Sequence, residues 1–194
     1  MISLKENSST EEEIKIRVSD VPSILNKIRN VSKYSRTEYI RDIIYGADDK
    51  KKIRLRIQDN FEFQSLNAIY KYKVSVQDGI KKEIEEIIYK GNSKEEALSM
   101  ISLQGNFKEE NSYEKIRTIF FDEHNTEITL DIYPYGCWIE IEGKPKDIHR
   151  VASGLGYTPK DYITAGADDL YLEWIKKHNL PEMWDVRFGL TGKK

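Results

Sequence analysis

In the segment Glu11-Glu12-Glu13-Ile14-Lys15-Ile16-Arg17-Val18, the residues Glu11, Glu13, Lys15 and Arg17 fall on one face of an extended chain, and Ile14, Ile16 and Val18 on the other. The same period of two recurs and predicts strands near 11–18, 37–45, 52–58, 68–77, 82–89, 114–121, 126–133 and 137–142. Helical spacing interrupts it. Asp20 can cap a helix running to about 33, with Pro22 in its first turn and Val21, Ile24, Leu25, Ile28 and Val31 on one stripe. Ser93 and Glu96 form a capping box for a second helix over 93–103. Further helices are expected over 146–153 and 168–178. Asp78-Gly79 and His124-Asn125 read as hairpin turns, and 46–52 as a polar connection between neighbouring strands. The last ten or so residues carry no pattern that ties them down.

The polar faces are unusual. Seven of the eight expected strands carry a charged face, six of them with same-sign pairs two residues apart. Arg54 and Arg56 flank Leu55; Lys71 and Lys73 flank Tyr72; Lys115 and Arg117 flank Ile116. Glu83 and Glu85 flank Ile84; Glu140 and Glu142 flank Ile141; Glu127 and Asp131 share a face. A charged strand face is ordinarily its solvated side. Such faces normally mix in Ser, Thr, Asn and Gln and alternate in sign, whereas side-by-side like charges repel. Here the signs segregate strand by strand, which implies compensation from outside the chain. Cationic pairs suit polyphosphate oxygens. Carboxylate pairs suit Mg²⁺ or Mn²⁺. The helices need an apolar surface to cover, and the isoleucine faces supply it. That turns the charged faces inward. The expected architecture is α+β: a closed eight-stranded antiparallel β-barrel, or tunnel, with helices packed outside and a C-terminal helical segment. An eight-stranded barrel has room for one small ligand.

Composition narrows the function. The chain of 194 residues has 33% charged residues, yet 31 basic and 33 acidic side chains leave a net charge of only -2. A nucleic-acid binder would carry a basic excess, so no nucleic acid is expected beyond nucleotides. No run of about 18 apolar residues is present, so no membrane partner is expected. The start lacks an apolar stretch of signal-peptide length, which makes the cytoplasm the expected location. The single cysteine, Cys137, reads as a packed barrel residue, and His124, His149 and His178 are not at metal-ligand spacing.

Glu11-x-Glu13-x-Lys15 resembles the opening signature of the CYTH superfamily, the triphosphate tunnel metalloenzymes. That family includes class IV adenylyl cyclases, thiamine triphosphatases, inorganic tripolyphosphatases and RNA triphosphatases. The rest follows in the family's order: Arg54-x-Arg56, Lys73, Glu83-x-Glu85, Lys115-x-Arg117, Leu130-Asp131, then 136–143 as a closing strand. The resemblance covers about 11–165, whereas the segment 38–45 departs from the family's pattern. It implies a tunnel domain over 1–165, with 166–194 as a C-terminal helical extension of the same domain. It implies that Glu11, Glu13, Asp131, Glu140 and Glu142 hold Mg²⁺ or Mn²⁺, and that Lys15, Arg54, Arg56, Lys73, Lys115 and Arg117 bind phosphates. Glu83 and Glu85 would hold a second metal or position a water, and with Lys15 they form the expected catalytic set. The segment 158–178, with Lys160 and Tyr162, is the expected plug for one mouth, and a homodimer is compatible with the family's habit. The activity implied is a metal-dependent triphosphatase acting on inorganic triphosphate or a small organic or nucleoside triphosphate. Its rivals are a class IV type adenylyl cyclase and a non-catalytic polyphosphate or nucleotide binder.

Overall fold

The computed structural model of the chain describes residues 8–47, 51–60 and 64–189, the side chains of 71–74 excepted. In chain order the elements are β1 (Ser8–Val18), α1 (Val21–Val31), β2 (Lys33–Gly46), β3 (Lys52–Asp59), β4 (Gln64–Gln77), β5 (Ile80–Gly91), α2 (Lys94–Ser102), β6 (Lys108–Phe121), β7 (Glu127–Tyr133), β8 (Gly136–Glu142), α3 (Pro145–Leu155), β9 (Tyr162–Ile163), α4 (Ala167–His178) and β10 (Asp185–Val186). The ladder runs β6-β2-β3-β4-β5-β1-β8-β7, and a β6–β7 pairing closes it. All eight of these pairings are antiparallel. The expected closed barrel of eight strands is therefore the observed one.

The turns and caps follow local chemistry. Asp78 and Gly79 both have positive φ (53° and 77°), the backbone that a two-residue hairpin between β4 and β5 requires. Asp20 accepts the Ser23 N–H at 3.0 Å, and Ser93 accepts the Glu96 N–H at 3.2 Å, so both expected N-caps form. Asn125, at φ 60°, turns the chain between β6 and β7, while the Asp122 carboxylate accepts N–H bonds from His124 and Thr126. Gly156 ends α3 in the left-handed conformation at φ 94°.

The isoleucine faces point outward and are covered by helices. Ile14, Ile16, Ile128, Leu130, Ile139 and Ile141 form one apolar cluster with Ile24 and Ile28 of α1 and Ile148, Val151, Ala152 and Leu155 of α3. Cys137 belongs to this cluster, as its sequence context predicts. A second cluster joins Ile43, Tyr45, Ile53, Leu55, Leu66 and Ala68 to Ala97 and Ile101 of α2. Burying each such aliphatic side chain contributes about 1.5–3 kcal/mol. With the apolar side against helices, the alternation of the strands turns every second residue into the barrel.

Two short strands extend the sheet where barrel strands run past their neighbours. β1 pairs with β5 through Glu13, and β9 then pairs with Lys15 and Ile16. β6 pairs with β7 from Ile116 onward, and β10 pairs in parallel with Ser112 and Tyr113. Thus 185–186 are anchored, contrary to the expectation of a loose tail. The Ser112 hydroxyl donates to Asp185 at 2.6 Å, and the Ser112 N–H donates to the Trp184 carbonyl at 2.7 Å. The plug also differs in detail from the expectation. Tyr162 lies outside the barrel, hydrogen-bonded to His149 at 3.1 Å and stacked on its ring. Lys160 sits in an exposed turn on the same side. The residues that close one end are Leu170, Tyr171 and Ile175 of α4, packed with Tyr133, Tyr135 and Trp138. Among the described residues, no helix is long and apolar enough to cross a membrane.

Candidate functional site

The barrel encloses a cavity of about 560 Å³ whose wall is mostly charged. Its described lining includes eleven Asp and Glu against eight Lys and Arg. The ladders explain how they meet. Glu11 stands opposite Glu83; Glu13 stands opposite Lys81 on one side and Glu142 on the other; Glu142 stands opposite Glu127. Lys15 faces Glu140, Arg117 faces Asp131, and Arg56 is placed beside Asp42. Antiparallel partners share a face of the sheet, so these pairs project into the barrel together.

The two ends differ. At one, the carboxylates Glu13, Glu127 and Glu142 lie on adjoining strands, and Glu127 and Glu142 also line a second cavity of about 970 Å³ bounded by α3. At the other, Gly166, Ala167, Asp168 and Asp169 at the start of α4 cap the cavity. Lys52 holds this end through Asp168 at 3.3 Å. Arg17, over the Trp138 ring at 5.6 Å, pairs with Glu173 of α4 at 3.0 Å.

Between the ends runs a network of ion pairs. Arg56 donates two bonds of 2.7 Å to Asp42, whose side chain is 1% exposed. Arg117 makes a second bidentate pair with Asp131 at 2.7 and 2.6 Å and also contacts Glu140. Lys115 reaches Asp131 at 2.7 Å, and Lys15 reaches Glu140 at 3.0 Å. Arg54 pairs with Glu85 at 2.9 Å, and Lys81 bridges Glu13 and Glu83 at 2.6 and 3.0 Å. Burial alone would raise the carboxyl pKa of Asp42, but Arg56, with Arg54 and Lys115 behind it, holds it well below the usual range. Burial is likewise overcome at Glu140 by Lys15 and Arg117. Lys115 goes the other way: burial, then the neighbouring Arg117 guanidinium, push its ammonium down to about 8.

The sequence-derived site residues Glu11, Glu13, Lys15, Arg54, Arg56, Glu83, Glu85, Lys115, Arg117, Glu140 and Glu142 all line this one cavity. Asp131 lies behind Lys115 and Arg117, fully buried. The Lys73 side chain lies outside the described residues. Lining residues that escaped the sequence reading include Glu38, Asp42, Arg36 and Lys81. Glu38 and Asp42 are four apart on β2 with the buried Ile40 between them, so no same-sign pair two residues apart marks their face. Glu38 is held by Arg36 at 2.6 Å and Gln58 at 3.1 Å. Lys81 has the same parity as Glu83 and Glu85, and that signal was available.

The donor set suits a hard divalent cation, because every carboxylate named for metal holding is an oxygen ligand on or just behind the wall, and acids outnumber bases there. The set is not a ready-made cage. Among the described residues, no three His, Cys, Asp or Glu side chains form a group able to hold a metal ion. Glu13, Asp131 and Glu140 are instead engaged by lysines and arginines. The wall also has unused hydrogen-bonding capacity. Among the described residues, Arg54 Nε is buried without a partner. Buried donors of this kind are rare unless a ligand or water completes them.

No family model and no curated protein matches the chain. Solved structures do. The PH1819 protein of Pyrococcus horikoshii superposes with a TM-score of 0.67 at 23% identity, covering 84% of this chain and 98% of that one. A candidate adenylate cyclase from Vibrio parahaemolyticus gives a TM-score of 0.62 at 17% identity, with 86% and 98% covered. The chain has their fold. HpAC1 of Hippeastrum, a candidate adenylyl cyclase with a dominant triphosphatase activity, shares the fold at a TM-score of 0.59, 14% identity and coverage of 84% and 95%. The expected barrel fold thus recurs in candidate adenylyl cyclases, HpAC1 among them.

Proposed function

We propose that the chain is a divalent-metal-dependent triphosphatase that cleaves a phosphoanhydride bond of inorganic triphosphate or a small triphosphorylated molecule inside the barrel. The observation that carries this is the enclosed wall on which five cations, Lys15, Arg54, Arg56, Lys115 and Arg117, face one cavity in an excess of carboxylates. A bare polyanion would meet those carboxylates unfavourably, whereas a metal–polyphosphate complex presents both signs at once. The triphosphatase activity of HpAC1 on the same fold supports hydrolysis over cyclisation.

In this reading the guanidinium groups exchange their carboxylate partners for phosphate oxygens, with matching bidentate geometry. Arg54 Nε offers a buried donor for this purpose. Lys15, Lys115 and Arg117 neutralise charge that develops on the oxygens during an in-line displacement. Glu11, Glu13, Asp131, Glu140 and Glu142 would hold Mg²⁺ or Mn²⁺, which supplies charge neutralisation between carboxylate and phosphate oxygens. Glu83 or Glu85 holds the attacking water and accepts its proton. Closure of the far end by α4 leaves the Glu127 and Glu142 end for substrate entry.

The test is product analysis with purified protein given inorganic triphosphate or ATP, with Mg²⁺ or Mn²⁺. Phosphate release that chelator abolishes and Arg56→Ala removes is expected. Cyclic AMP with pyrophosphate would replace this reading with the cyclase one. Triphosphate binding without turnover of either substrate would leave a binding protein.

A further inference from the structure

Beside the tunnel's closed end lies a separate pocket of about 220 Å³, between the start of β6, α4 and the segment leading into β10. We infer that it binds a small organic ammonium ion. Four aromatic residues line it: Tyr113, Tyr135, Tyr171 and Trp184. Three carboxylates, Glu110, Asp168 and Glu182, complete the rim, and no Lys or Arg lines it among the described residues. Aromatic walls and negative charge together are the chemistry that recognises a cation bearing apolar carbon, through the ring faces and through charge. The volume suits a compact amine with a ring or a short branched chain.

Lys52 Nζ approaches Asp168 at 3.3 Å and Glu110 at 3.5 Å from the tunnel side and offsets part of their charge. Glu182 remains for a ligand entering from solvent. The walls are fixed in place. The Met183 N–H donates to the Tyr171 hydroxyl at 2.8 Å, and Tyr135 donates to the Ala167 carbonyl at 3.2 Å. Trp184 is 62% exposed, which leaves a large ring face available to an occupant. Tyr113 and Asp168 line both this pocket and the tunnel, so an occupant would sit one side chain away from the phosphate-binding wall.

The experiment is isothermal titration of the full chain, without nucleotide or metal, using cyclohexylammonium, the neutral isostere cyclohexanol and tetramethylammonium. One saturable site for cyclohexylammonium is expected. Cyclohexanol should bind at least about 5-fold more weakly, for want of the cation–aromatic attraction. Tetramethylammonium should also bind more weakly, because it sets less apolar surface against the rings. Trp184→Leu and Glu182→Gln change exposed residues, so both should fold; each should weaken cyclohexylammonium about 2- to 5-fold. Equal binding of cyclohexanol would overturn the inference. So would affinity unchanged by both substitutions, which would place the amine among the tunnel carboxylates. Absence of any saturable site would overturn it as well. None of these outcomes depends on triphosphate turnover, so the site stands or falls apart from the proposed reaction.

Discussion

Removing Arg56 tests the tunnel's electrostatics most directly. In Arg56→Met the long apolar side chain keeps most of the volume, but Asp42 loses both 2.7 Å bonds while only 1% exposed. Breaking a buried pair from one side costs about 3–5 kcal/mol, because the remaining charge is left uncompensated. Arg54 and Lys115 still act on Asp42, which favours the lower end. For a chain of this size about 3 kcal/mol lowers Tm by roughly 6–12 °C. The pH dependence carries the signature. In the parent, the Asp42 pKa is depressed, so the pair's contribution is present above the unfolded carboxyl value of about 3.9 and is lost as pH falls through the folded value. In the variant, burial dominates and lifts the Asp42 pKa above the unfolded value. The deficit against the parent should then be largest near pH 7 and shrink toward pH 5, as Asp42 takes up a proton. Urea denaturation at both pH values measures this, and Arg56→Met with Asp42→Asn should recover part of the loss. A deficit under about 1 kcal/mol, or one that grows on acidification, would refute the claim that a buried charge pair fastens β2 to β3.

Other consequences follow from the same structure. Lys115 is pushed down to about 8, so triphosphate affinity should fall as pH rises through that value, and Lys115→Arg should flatten the limb in a binding titration. For stability the sign is opposite: a lysine with a lowered folded pKa is unfavourable below about 8, and its cost is relieved as pH rises toward the unfolded value of about 10.4. Ile28→Ala removes a fully buried side chain that joins α1 to the outer face of the barrel, and should cost about 2–5 kcal/mol by chemical denaturation. Gly156→Ala forces an alanine to φ 94° at the end of α3, so a loss of about 1 kcal/mol in the same assay is expected.

Much of this protein is written in a period of two. Because strand side chains alternate strictly, Ile14 and Ile16 could share a helix-covered surface only if Glu13 and Lys15 turned inward. The charged pairs on β3, β5, β6 and β8 were therefore legible as one lined interior before any strand was paired. The same holds for the caps at Asp20 and Ser93 and the hairpin at Asp78-Gly79, where the chemistry is local. Other features depend on which strands become neighbours. Asp42 is isolated in sequence and becomes a buried anion only because β2–β3 register sets it beside Arg56. Closure by α4 rests on Tyr171 meeting Tyr135, at 5.4 Å between ring centres and 36 residues apart in sequence, a contact that no local pattern encodes. The inferred amine pocket likewise joins Asn111 of β6 to Trp184, which the anchoring of β10 brings together. Alternation determined which side chains face each other's strand surface; only tertiary pairing decided which charge meets which, because an ion pair depends on separation in space and period carries no information about that.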